Sequence, residues 1–176
     1  VAVAPACGED LIDELKKVPY RIVYESYQDD NWDLFMVRAD GSQRVNLTRT
    51  ADVHELYPHV SPDGTRLSFE VDAGEGENKT RDVYWMNLDG TGRRLMARGA
   101  RDGCWAADGQ RLVYLKNEFE KFTVMDYATK GVFLHDLAAG RDEQHPNREL
   151  YHLFGICGTP DGKWYLASVH GGMDFA

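Results

Sequence analysis

Apolar residues in this chain come in short runs, several alternating with polar ones, and each run stops at a cluster of Gly, Asp or Asn. Short β-branched and aromatic runs bounded by turn residues read as strands. One run recurs with its turn attached. Ser61-Pro62-Asp63-Gly64-Thr65-Arg66-Leu67-Ser68-Phe69 returns as Ala106-Ala107-Asp108-Gly109-Gln110-Arg111-Leu112-Val113-Tyr114, and again as Thr159-Pro160-Asp161-Gly162-Lys163-Trp164-Tyr165-Leu166-Ala167. Pro sets φ at the early corner, Asp bonds its own downstream backbone, and Gly accepts positive φ. Each copy therefore predicts a tight turn feeding a strand.

A second phrase interleaves with the first. Trp32-Asp33-Leu34-Phe35-Met36-Val37-Arg38-Ala39-Asp40-Gly41-Ser42 is matched by Asp82-Val83-Tyr84-Trp85-Met86-Asn87-Leu88-Asp89-Gly90-Thr91, with a looser copy at Gly131-Val132-Phe133-Leu134-His135-Asp136-Leu137-Ala138-Ala139-Gly140. Its glycines fall at 41, 90 and 140, and the Asp-Gly pairs of the first phrase begin at 63, 108 and 161. Both series match the period of a four-stranded propeller blade, roughly 40 to 50 residues. Short outer-strand candidates follow at Arg44-Val45-Asn46-Leu47-Thr48 and Arg93-Arg94-Leu95-Met96-Ala97. The pattern predicts an all-β chain, a β-propeller of four-stranded antiparallel blades.

Inner strands are expected near residues 57–60, 103–106 and 155–158, and second strands near 21–27, 66–71, 111–116 and 164–169. Third strands are expected over 33–38, 82–88 and 131–136. Alternation should place Phe35, Phe69, Trp85, Tyr114 and Phe133 between blades. In chain order the sequence supplies three strands, two full blades and two more strands, about three and a half blades in all. Closed propellers have about 4 to 8. The expectation is a partial ring, either a fragment of a longer protein or a chain whose open strand edges pair with another chain.

A formal net charge of −9 and the lack of a basic stripe exclude nucleic-acid binding. No apolar stretch is long enough to span a membrane. Residues 1–19 read as an export-signal remnant followed by a short amphipathic helix, and 20–176 as the partial propeller. Ala4-Pro5-Ala6 has the small-residue pattern of a cleavage site, with Cys7 beside it as a candidate for lipid attachment. Leu11, Ile12 and Leu15 share one helical face before Pro19, with acids early and lysines late. A periplasmic or secreted location is expected.

With these repeats in view, the chain resembles the TolB-like propeller-repeat proteins over about residues 20 to 169. Their repeat joins a Ser-Pro-Asp-Gly turn and apolar strand to an Ile/Leu-Tyr/Phe-x-Met/Val strand, Asp-Gly and Leu-Thr. Ser61 to Phe69, Asp33 to Val37, Asp40-Gly41 and Leu47-Thr48 fit it closely, and Val83 to Gly90 almost as well. The resemblance implies a ring built to bind proteins or glycans on its loop-rich face. Related repeats also occur in peptidase gating propellers and in oligogalacturonate lyases.

The candidate chemistry lies near the inner strands. His54 and His152 each stand seven residues before the first residue of a turn phrase, and His59, Cys104 and Cys157 share a register two residues before it. Imidazole and thiolate suit zinc, and imidazole with carboxylate suits manganese. His54, His59 and His152 are therefore candidate metal ligands, and the resemblance to the lyases supplies a precedent for channel histidines. The alternative is that the histidines anchor loops and the cysteines are small buried packers. No Gly-x-Ser-x-Gly elbow is present, and three cysteines make no disulfide framework. The acidic loop from Asp72 to Asn78 lacks the ligand alternation of an EF-hand. Asn46-Leu47-Thr48 and Asn78-Lys79-Thr80 match the glycosylation acceptor. His170, Gly171 and Gly172 form a candidate binding loop. The expected function is an exported non-enzymatic scaffold without catalytic residues or cofactor; the alternative is a carbohydrate-active enzyme using manganese or zinc.

Overall fold

A computed structural model describes residues 9–118 and 128–169. One helix, α1 (Glu9–Lys17), precedes β1 (Arg21–Gln28), β2 (Asn31–Arg38), β3 (Val45–Asn46), β4 (Val53–Val60), β5 (Arg66–Ala73), β6 (Thr80–Asn87) and β7 (Arg94–Ala97). Then follow β8 (Ala100–Trp105), β9 (Arg111–Asn117), β10 (Thr129–Asp136), β11 (Arg141–Gln144), β12 (Leu153–Gly158) and β13 (Tyr165–Val169). They form four antiparallel meanders, β1-β2-β3, β4 to β7, β8 to β11, and β12-β13, which are blades 1 to 4 of a partial propeller. Cys7 and the loop at His170, Gly171 and Gly172 lie outside the described residues.

The Asp-Gly turns work as their residue types require. Asp40, Asp63, Asp89, Asp108 and Asp161 each accept a hydrogen bond from the backbone N–H two residues on, at 2.9 to 3.1 Å, and Asp136, in the looser copy that ends at Gly140, does the same at 2.9 Å. The glycine that closes each of these turns has positive φ, as at Gly41 (82°) and Gly90 (87°). A β-carbon on Gly90 would also stand 2.7 Å from the Leu47 carbonyl oxygen, so this turn packs directly on blade 1.

Two features differ from expectation. The inner strands are longer, starting at Val53, Ala100 and Leu153, because each contains a bulge that interrupts the pairing and then lets it resume. The bulged residues Tyr57 (φ 54°), Asp102 (φ 53°) and Gly155 (φ 113°) occupy one register in three blades. Blade 3 has the four strands counted for it, but its outer strand, β11, with the sequence Arg-Asp-Glu-Gln, falls where no outer-strand candidate was marked. It sits at the periphery with Asp142 bonded to His135 at 2.9 Å, buries no apolar side chain, and so leaves no hydrophobic signature.

Three cores fill the spaces between consecutive blades. Leu34, Met36 and Leu47 of blade 1 meet Leu67, Phe69, Val71 and Met86 of blade 2. Val83 and Met96 meet Trp105, Leu112 and Tyr114, with Trp85 and Phe133 against them. Cys104, Val113, Leu115 and Val132 meet Leu153 and Ile156. Phe35 departs from the expectation, lying within blade 1 under Tyr24 (5.9 Å between centroids) with the Arg44 guanidinium 3.9 Å above its ring. The same aromatic cross-strand pair recurs as Phe69 with Tyr84 and Tyr114 with Phe133. Blades 2 and 3 pack so closely that a β-carbon on Gly103 would lie 2.4 Å from Val83 Cγ1. On α1, Leu11 and Ile12 stay exposed, and Arg38 bonds the Lys16 carbonyl at 2.9 Å.

Candidate functional site along the inner strands

The shared register of His59, Cys104 and Cys157 is real. They pair with Ser68, Val113 and Leu166 at equivalent ladder positions of blades 2, 3 and 4. All three side chains line one cavity of about 380 Å³, whose wall also includes Trp105 and Pro160. His59 and Cys157 extend into a second cavity of about 330 Å³ beside Asp102 and Ser168. Burial pushes the Cys104 thiol up to about 11, so it is protonated at neutral pH. The surrounding strands also desolvate the His59 imidazole and lower its pKa, although its surface stays open to solvent.

The other two histidines stand apart from this wall. His54 lies inside β4 opposite Asp72, with Nδ1 2.9 Å from Asn31 Oδ1 and 3.3 Å from the Trp32 amide nitrogen. It ties the second blade to the β1–β2 hairpin. His152 comes just before β12, in the left-handed conformation (φ 54°), with its N–H bonded to the Thr129 carbonyl. Blade 3 separates it from His54. Among the described residues, no three His, Cys, Asp or Glu side chains converge as a metal-holding group. Asn46 of the first glycosylation pattern donates to Asp33 at 2.7 Å, inside the turn that Thr48 also bonds.

Sequence reasoning missed a set of buried charges behind the inner strands. A bulge leaves a backbone N–H without a ladder partner, and burying it unpaired would be costly. Here the preceding blade supplies the acceptor. Glu25 of β1 takes the Tyr57 N–H at 2.5 Å, and Glu70 of β5 takes the Asp102 N–H at 2.7 Å. In the third copy the bulged residue is Gly155 and the equivalent of the glutamate is Leu115. Glu70 is 2% exposed; burial pushes its carboxyl up to about 8, against the opposing pull of Arg81, whose Nε is 3.3 Å away. Arg81 also grips Asp72 through two bonds at 2.7 and 2.8 Å, with Lys79 at 3.2 Å on the same carboxylate. Burial alone would raise the Asp72 pKa, but these cations hold it below the ordinary range.

Further bonds fasten blade 2 to blade 3. Ser68 donates to the Gly103 carbonyl (2.7 Å), the Trp105 indole to the His59 carbonyl (2.9 Å), and Arg66 to the Gly109 carbonyl (2.7 Å). Glu55, fully buried, is held by Thr50 and by Arg93 at 2.6 Å.

The arrangement of successive antiparallel meanders is shared with known structures. TolB from Acinetobacter baumannii superposes with a TM-score of 0.66 at 16% identity, over 86% of this chain and 36% of that one. A TolB structure from Agrobacterium tumefaciens gives 0.61 at 12% identity, over 84% and 49% of the two chains. The chain has a TolB-like propeller fold. A prolyl endopeptidase superposes with a TM-score of 0.57 at 16% identity, covering 84% of this chain and 24% of the enzyme. The chain thus spans from about a third to a half of the length of these TolB structures. No family model matches the sequence, and no curated protein matches it. Among the described residues, no helix is long and apolar enough to cross a membrane.

Proposed function

We propose that this chain serves as an exported, non-enzymatic β-propeller scaffold that holds a protein or glycan partner on its loop-rich face. The observation that carries the reading is how its reactive side chains are spent. Glu25, Glu55, Glu70, Asp72, Arg81 and His54 are bonded to neighbouring strands or loops, and Cys104 is a protonated, buried packer. A rigid body with its charges turned inward suits docking. Its two ends differ accordingly: tight Asp-Gly turns close one, whereas the longer connections 47–52, 74–79 and 145–152 leave the other.

Site-specific photo-crosslinking tests this. A photoreactive residue at Tyr151, exposed near the long connections, should capture a discrete partner, and one at Thr65 in an Asp-Gly turn should not. Polygalacturonate incubated with the protein and manganese should yield no unsaturated product. Equal capture from both ends, or turnover of the polysaccharide, refutes the scaffold reading.

A further inference from the structure

At the long-connection end, blades 1 and 2 form an open pocket of about 400 Å³ lined by Tyr27, Trp32, His54, Leu56, Asp72 and Lys79. None of these residues belongs to the His59–Cys104–Cys157 wall. Tyr27 and Trp32 are directly paired across the end of the β1–β2 hairpin, with ring centroids 5.3 Å apart and planes at 49°. Tyr27 is 54% exposed, so its ring face is open to a ligand in the pocket. The polar members are fixed in place. Asp72 is clamped by Arg81 and Lys79, and His54 Nδ1 is engaged by the hairpin, leaving the ring's Nε2 without a hydrogen bond among the described residues.

From this pocket we infer a binding site for a pyranose ring of a neutral glycan. The inference rests on the scaffold reading above and names its ligand class. A sugar ring offers an apolar C–H face and a rim of hydroxyls, and the pocket offers the complement: an aromatic pair beside a carboxylate, an ammonium and an imidazole. Charge selects the class. Arg81 and Lys79 both bond the Asp72 carboxylate directly, so an acidic sugar would have to compete with Asp72 for either cation, and a cationic ligand would have to displace them. The volume lies within the range of small-ligand sites, about 300 to 1,000 Å³. Such pockets are largely preformed, and this one is braced on both sides by paired strands.

The test is calorimetric titration with cellotriose, chitotriose and trigalacturonate at neutral pH. At least one neutral trisaccharide should bind saturably and more tightly than trigalacturonate. Trp32→Ala and Tyr27→Ala should each weaken that binding about tenfold or more, and Trp32→Phe should retain most of it. Trp164→Ala, at an exposed ring in an Asp-Gly turn, should leave it unchanged. Because Tyr27 is largely exposed, its alanine variant tests the site even if Trp32→Ala unfolds. Failure of both neutral sugars to bind, binding that survives Tyr27→Ala, or preference for the acidic sugar overturns the inference. Partner capture from Tyr151 alongside such a failure would remove the sugar pocket and leave the scaffold standing.

Discussion

Replacing Glu70 with Gln should flatten the dependence of stability on pH. The unfolded carboxyl ionises near its ordinary value of 4.5, whereas burial in the folded protein pushes it up to about 8. Between those values the folded state holds a proton that the unfolded state has lost. Stability from this group is therefore full below the unfolded value and declines as pH rises through the folded one. At about 1.4 kcal/mol per unit, the decline between pH 5 and 9 is on the order of 4 kcal/mol. Glutamine does not titrate, and its carbonyl can still accept the Asp102 N–H that Glu70 Oε1 takes at 2.7 Å. The assay is urea unfolding followed by tryptophan fluorescence at a series of pH values, with wild type and variant compared at each. His59, whose pKa is lowered, acts below its ordinary value and in both proteins alike, so it cancels in the difference. The same holds for the turn aspartates, which titrate at acid pH. Arg81, Asp72, Tyr57 and Asp102 are the charged or titratable neighbours that act on Glu70, and all remain in the variant. Parallel pH profiles for the two proteins would refute the argument.

Two other substitutions probe the same seam. Arg81→Ala leaves the buried Asp72 carboxylate with Lys79 alone and should destabilise by about 2 to 4 kcal/mol, with midpoint urea concentration as the readout. Gly103→Ala drives a methyl into Val83 and should destabilise by about 1 to 3 kcal/mol; restoration of stability in the double variant with Val83→Ala would identify the clash as the cause.

The repeat, its turns and its strand order were legible in the sequence because they are local. Each Asp-Gly turn carries its own hydrogen-bond chemistry within four residues, so Asp63 and Asp161 could be assigned roles before any partner was known. The register of His59, Cys104 and Cys157 was legible for the same reason, being a fixed offset from those turns. The repeat count called for a fourth strand in blade 3, but the position of β11 was invisible because Arg141, Asp142 and Glu143 are exposed, and hydrophobic patterning locates only strands that bury a face. Phe35 did not join the core between blades 1 and 2 because its neighbours Leu34 and Met36 take that face of β2, and alternation turns Phe35 to the opposite face with Tyr24 and Arg44.

The carboxylate latches were invisible for a deeper reason. Glu70 serves Asp102, a residue of the next blade, and the need for it arises from a backbone distortion that no side-chain pattern announces. Yet the three copies show what a reader could look for. Where the bulged residue is Tyr57 or Asp102, the preceding blade carries Glu25 or Glu70; where it is Gly155, the preceding blade carries Leu115. A non-glycine residue forced to positive φ carries strain, and a carboxyl oxygen that accepts from its amide offsets that strain while satisfying a donor the ladder leaves unpaired. Glycine adopts the conformation freely, so the third copy dispenses with the carboxylate and fills the position with core-forming Leu115. In this chain, a glutamate four residues after the arginine that opens the strand, Arg21 of β1 or Arg66 of β5, therefore marks the blade whose successor carries the strained bulge.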